Sequence, residues 1–233
     1  MLWYKGWLET RFRLLYTLVF GGYSLFMLHR GSMNTLGPGR FGPGRLLDIF
    51  AVVWMIVPIM LAGSGIKTQA AFRALKGLHG SMLYTLTLPV SRLRLILVRA
   101  GLGMTETAGV FVLISVGVWL LSPSLKASAT VADVLENALA ITICSTAVYF
   151  ISVVTSTFLD DIWQILSSVL TVAALSWLSS NISWLASVNI FRAMGSESPL
   201  VTHAMPWASM GASLGLAAIL FWAAVKVADA REY

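Results

Sequence analysis

Apolar residues in this chain come in long unbroken runs, and polar residues collect between them. Six runs read as bilayer-crossing helices: 14–28, 46–66, 95–121, 138–159, 162–180 and 207–225. A bilayer core about 30 Å thick needs about 20 helical residues. The first run falls short of that, and Arg11 and Arg13 can extend it by snorkelling to the headgroups. Ahead of it, residues 1–13 mix Leu2, Trp3, Trp7, Leu8 and Phe12 with Lys5, Glu9, Arg11 and Arg13. That mixture predicts an amphipathic helix lying in the water–lipid interface. No small-x-small cleavage site follows Leu28, so the first run is expected to remain as a span rather than leave as a signal peptide.

The connections carry helix breakers. Gly31, Gly37, Pro38, Gly39, Gly42, Pro43 and Gly44 predict an irregular loop over 29–45. Pro58 lies inside the second span and predicts a kink, and Gly63, Ser64 and Gly65 end that span. The stretch 67–94 is the longest moderately polar one and reads as short amphipathic helices broken at Pro89. A loop with Pro123, Lys126 and Asp133 follows the third span, and Asp160 and Asp161 close the fourth. Ser179, Ser180 and Asn181 interrupt the chain after the fifth, and 191–206 contains Gly195, Pro199 and Pro206.

Composition removes the soluble alternative. Of 233 residues, 58% are hydrophobic and 11% charged, with a mean hydropathy of +0.81. A soluble domain carries about 25% charge. A net charge of +6 would suit nucleic acid only on a solvated, clustered basic face, whereas these cations flank apolar runs, so no nucleic-acid partner is expected and lipid is. The single cysteine, Cys144, gives neither a disulfide framework nor a metal quartet.

The cations also orient the chain. With the N-terminus inside, eleven fall on the inside: Lys5, Arg11, Arg13, Lys67, Arg73, Lys76, Arg92, Arg94, Arg99, Lys226 and Arg231. Five fall outside: Arg30, Arg40, Arg45, Lys126 and Arg192. The asymmetry places both termini in the cytoplasm. The expected fold is all-α: one polytopic transmembrane domain with six transmembrane helices and an N-terminal interfacial helix, in the cell (plasma or inner) membrane.

Few residues carry chemistry. Gly211-Ala-Ser213-Leu-Gly215 matches G-x-S-x-G, but a hydrolase elbow needs a strand-to-helix turn. The same residues form G-x-x-x-G inside the sixth span, which favours close helix packing. His29, His79 and His203 all fall in loops or at the interface, against a Ser-His dyad and against a metal site. Gly63-Ser-Gly-Ile-Lys67-Thr68 misses the phosphate-loop pattern, because Ile66 separates Gly65 from Lys67. Glu106 is the one acid well inside a span, about 10 Å of helix beyond Arg99, and is a candidate functional or structural acid. Thr142, Ser145, Thr146, Tyr149, Ser152 and Ser156 share a face of the fourth span, either lining a substrate path or sealing a helix or subunit interface. Asp160 and Asp161 read as a solvated turn, with contact to a basic partner as the sharper alternative.

Residues 80–99 read Gly-Ser-Met-Leu-Tyr-Thr-Leu-Thr-Leu-Pro-Val-Ser-Arg-Leu-Arg-Leu-Ile-Leu-Val-Arg. The stretch resembles the ABC-2 family of ABC-transporter permeases, whose members carry a TLSLPVSR segment between spans two and three and then an arginine at the start of the third. Thr85-Leu-Thr-Leu-Pro-Val-Ser-Arg92 and Arg99 match that pattern, and Glu106 resembles a carboxylate common in that helix. The resemblance implies a transport subunit rather than an enzyme: the permease of an ABC exporter, with no cofactor of its own. It implies a separate ATP-binding subunit holding ATP and Mg, and a second permease subunit making a homo- or heterodimer. It also implies that 67–94 is the cytoplasmic coupling segment, with Thr85, Leu86, Leu88, Pro89, Val90, Ser91 and Arg92 docking the ATPase. Family members often place re-entrant helices between their last two spans, and 179–206 is polar and rich enough in Gly and Pro to hold them. Three alternatives stay open: a plain interfacial helix at 80–92, an intramembrane hydrolase, and a non-transporting membrane scaffold or sensor.

Overall fold

The computed structural model describes residues 2–34, 43–62, 92–159 and 161–230. All regular structure among them is helical. The long helices are α1 (Leu2–Asn34), α2 (Pro43–Leu61), α3 (Arg92–Leu121), α5 (Val131–Phe158), α6 (Asp161–Asn181) and α10 (Trp207–Ala230). Short helices fill two connections: α4 (Pro123–Ser128), then α7 (Ser183–Ala186), α8 (Ile190–Met194) and α9 (Pro199–Thr202). Among the described residues, four helical stretches are long and apolar enough to cross a membrane: Ile96–Leu121, Val131–Phe158, Trp163–Asn181 and Trp207–Val227. The chain is therefore a multi-pass helical membrane protein. In α2 the apolar helix is shorter, Phe50–Leu61.

Side-chain contacts fix the helix directions. Along α1 and α3, Trp3 lies at Gly101, Thr10 at Glu106, Gly21 at Ile114 and Leu25 at Gly117, so both helices run the same way. Asn137 meets Ser115 and Tyr149 meets Gly103, so α5 advances twelve residues while α3 retreats twelve. Trp54 packs on Phe111 and Ile59 accepts from Ser152, which sets α2 parallel to α5 and against α3. The α6 helix folds back on α5, where Thr155 meets Ser168. Ser213 sits at Ile143 and Cys144 while Phe221 stacks on Phe150, so α10 runs with α5. Direction thus alternates through α1, α2, α3, α5, α6 and α10. The start of α1, the end of α2, the start of α3 and the end of α10 share one end of the bundle.

Between lipid-facing helices apolar burial gives little drive, and close packing takes its place. The glycines of α1 and α3 allow it. A Cβ at Gly117 would lie 2.6 Å from Leu25 Cδ1, and one at Gly21 2.9 Å from Ile114 Cδ1. The apolar centre lies where α2, α3 and α5 meet, around Trp54, Phe111, Ile141 and Val148, all fully buried. The exposed tryptophans mark both ends. Trp3, Trp7, Trp163 and Trp222 lie toward the termini, and Trp177, Trp184 and Trp207 toward the other end. Along α6 the two levels are about 21 Å apart, as expected of rings anchored at two membrane interfaces.

Four features depart from the sequence expectation. The irregular loop expected over 29–45 is helical at both ends, where α1 runs on to Asn34 and α2 starts at Pro43, because a lone glycine such as Gly31 does not stop a helix and a proline is tolerated at a helix start. No break separates 1–13 from 14–28, because α1 is one 33-residue helix with no proline and no turn between its polar and apolar parts. The loop after the third span holds α4, and α5 starts at Val131, seven residues before the expected span. A capping box starts it early: Thr130 Oγ1 accepts from the Asp133 amide at 3.3 Å, and Asp133 Oδ2 accepts from the Thr130 amide at 2.7 Å. The 179–206 stretch holds the end of α6 and three short helices, and α8 and α9 turn Phe191, Met194 and Leu200 into the apolar core from the end opposite the termini.

Candidate intramembrane site

Glu106 sits on α3 with 8% of its surface exposed, facing both α1 and α5. The Thr10 hydroxyl of α1 donates to its Oε1 at 2.5 Å. Its other oxygen, Oε2, is buried and has no hydrogen-bond partner among the described residues. One turn back on α3, Gly103 makes room for Tyr149 of α5, whose Cζ and Cε2 lie 2.9 and 3.0 Å from where a Cβ would stand. Thr107 is buried beside it and returns its hydroxyl to the Gly103 carbonyl at 2.7 Å. The charged neighbours of Tyr149 are Glu106, Arg99 and Arg13. Three helices thus bring an acid, two guanidinium groups, a threonine and a tyrosine together near the end of the bundle that holds the termini.

Thr10 was not legible as part of this site, because residues 1–13 read as an interfacial helix. One signal was available. Trp3, Thr10, Thr17 and Ser24 recur every seven residues on α1, which gathers them on one helical stripe. From Thr10 onward that stripe turns inward: Thr10 and Ser24 are half-buried, Thr17 is fully buried, and Gly21 is buried between Thr17 and Ser24, whereas Trp3 at its start stays half exposed.

The polar face of the fourth span is largely turned into the bundle. Ser145, Tyr149, Ser152 and Ser156 are buried, and Thr142 and Thr146 are half-buried. Most of the hydroxyls return to their own helix: Thr142 to Ala138, Ser145 to Thr142, Thr146 to Ile143 and Ser156 to Val153. Two also join neighbouring helices. Thr146 meets Ser213 of α10 at 3.1 Å, and Ser152 donates to Ile59 of α2 at 3.5 Å while lying 3.4 Å from Gln164 Nε2 of α6. Within this chain the face forms a polar seam between helices.

Ser213 is the packing residue of G-x-S-x-G. Its Oγ lies 3.0 and 2.8 Å from the Ile143 and Cys144 carbonyls and accepts from the Ala147 amide at 3.2 Å. Gly211 and Gly215 are exposed, with open space where a Cβ would go. The glycines expected to bring helices together therefore face away from the bundle, and the serine between them makes the contact. Residues two apart on a helix point to nearly opposite sides.

His29 is exposed on α1, and His203 pairs with Asp133 at 3.2 Å on the surface. Among the described residues no three His, Cys, Asp or Glu side chains gather as a metal site. Of the residues implied in ATPase coupling, Thr85, Leu86, Leu88, Pro89, Val90 and Ser91 lie outside the described residues, as do His79 and Asp160, and Arg92 opens α3. Asp161 opens α6. No protein-family model matches the chain, and no curated protein or solved structure is significantly similar to it.

Proposed function

We propose that this chain is the permease subunit of an ABC exporter, coupled to a separate ATPase that holds ATP and Mg. The observation that carries the reading is the Thr85–Arg92 segment together with Arg99 and its resemblance to the ABC-2 docking segment. The fold is compatible with it. Six long helices alternate in direction, and α2 ends and α3 begins at the end of the bundle that holds the start of α1 and the end of α10. A segment joining them belongs with the cation-rich side, which the positive-inside asymmetry makes cytoplasmic. On this reading the membrane is crossed six times, and a second permease subunit completes the path.

The chemistry of coupling follows from the residue types. As read from the sequence alone, Pro89 is expected to stop a short helix, and Leu86, Leu88 and Val90 are apolar residues suited to an ATPase groove. The Glu106 junction ties α1 and α5 to the same helix that this segment enters, so a push on the segment reaches three helices at once.

The experiment is co-purification with an ATP-binding-cassette ATPase, sought first among the genes neighbouring this one, followed by ATP hydrolysis in vesicles. Leu88→Asp and Pro89→Ala are expected to lose the ATPase and its stimulation while the permease still folds. Retained binding by both variants overturns the coupling assignment. A partner ATPase rate that no substrate changes would favour a scaffold or sensor.

A further inference from the structure

Two fully buried side chains at the α2–α3–α5 junction carry polar atoms without a partner among the described residues: Trp54 Nε1 and Asn137 Oδ1. A third buried residue links them. Asn137 Nδ2 donates to Ser115 Oγ at 3.1 Å. Ser115 stands one turn beyond Phe111 on α3, about 6 Å along the axis. Phe111 in turn receives the Trp54 ring edge-on, with centroids 5.3 Å apart. Trp54 and Asn137 therefore meet the same face of α3, at residues one turn apart.

Their chemistry is complementary. Trp54 offers a donor and Asn137 an acceptor with two lone pairs, and the Ser115 hydroxyl has a proton to give besides the bond it accepts. Turning the Asn137 amide over leaves the need unchanged: Oδ1 then takes the Ser115 proton, and Nδ2 and Trp54 Nε1 are two donors seeking one acceptor. A polar atom left alone in such a place is destabilising. A water bridging two hydrogen bonds spans about 5–6 Å and supplies whichever donors and acceptors the junction needs.

We infer that one buried water sits among Trp54, Ser115 and Asn137, where α2, α3 and α5 meet. It joins α2 to the α3–α5 pair by bonds that can be broken and remade. The position suits such a joint, because Pro58, one turn on, has no N–H to give the Trp54 carbonyl and α2 is weakened there.

Thermal unfolding in detergent of Trp54→Phe, Asn137→Leu and the double variant tests this. Each single change strands the water's remaining partners, so the double variant is expected to lower the melting temperature by clearly less than the sum of the two singles. Additive losses, or an Asn137→Leu variant that melts higher than the parent, overturn the proposal, because a dry junction gains when a lone polar group is removed. A crystal structure of the unaltered protein is the second measurement and needs no variant to fold. A water oxygen within hydrogen-bonding distance of Trp54 Nε1 and the Asn137 amide supports the proposal, and a resolved junction with none there overturns it.

Discussion

The Thr10 hydroxyl meets the Glu106 carboxylate at 2.5 Å across 96 positions of sequence. This contact makes α1 an inward partner of α3 rather than a bystander on the membrane surface. It also gives a buried acid a donor in a place where water is scarce. Removing it is expected to be felt by the whole bundle. Thr10→Val leaves Oε1 as orphaned as Oε2 and should cost about 1–3 kcal/mol. Thr10→Ser keeps the donor and should cost much less. Fluorescence-monitored melting in detergent separates the two.

Gly103 and Tyr149 form a close joint between α3 and α5. A methyl on Gly103 runs into the tyrosine hydroxyl and ring, which cannot bend aside as an aliphatic chain can. Gly103→Ala is expected to destabilise by about 1–3 kcal/mol, as overpacking does. Tyr149→Phe removes the nearest atom and should recover part of that loss when the two are combined. By contrast, Gly22→Ala and Gly109→Ala meet open space and should be neutral or slightly stabilising, since alanine favours a helix over glycine.

Ser213 and its flanking glycines should separate cleanly. Ser213→Ala removes the α5–α10 hydrogen bonds and is expected to cost about 0.6–1.7 kcal/mol, and, on the permease reading proposed above, to leave transport intact. Gly211→Ala and Gly215→Ala should leave the melting of the monomer unchanged. Transport assays in vesicles provide the contrast with a nucleophilic serine, whose removal would abolish activity.

The early start of α5 rests on Thr130 and Asp133. Thr130→Ala breaks the capping box and should cost about 0.5–2 kcal/mol, and Thr130→Ser should restore most of it. Hydrogen exchange at the amides of 131–134 reads the fraying directly.

The Glu106 site was half legible. The acid itself stood out, because a carboxylate inside an apolar run is rare enough to notice. Its partners did not. Tyr149 was visible only as one of several residues on a polar face, and Thr10 was hidden by the apparent border between a polar leader and an apolar span. Asn137 and Gln164 were missed for a related reason. Neither forms a motif on its own helix, and a facing hydroxyl, Ser115 or Ser152, gives it a role.

What the sequence by itself determined is the class of the protein and most of its helices. Apolar run length and flanking cations report on the bilayer, a solvent that each segment meets on its own. Spans at 95–121, 162–180 and 207–225 fall within a few residues of the helices found. What only the tertiary structure decided is which side of each helix turns inward. That choice depends on the neighbour a helix acquires, and neighbours such as α1 and α3 are far apart in the chain. A rotation of half a turn would have buried Gly211 and Gly215 instead of Ser213, with no change in the hydropathy of α10. The close fit of Tyr149 to Gly103 and of Leu25 to Gly117 ties the rotation of α5 and α1 to that of α3, and that fit brings Thr10 to Glu106.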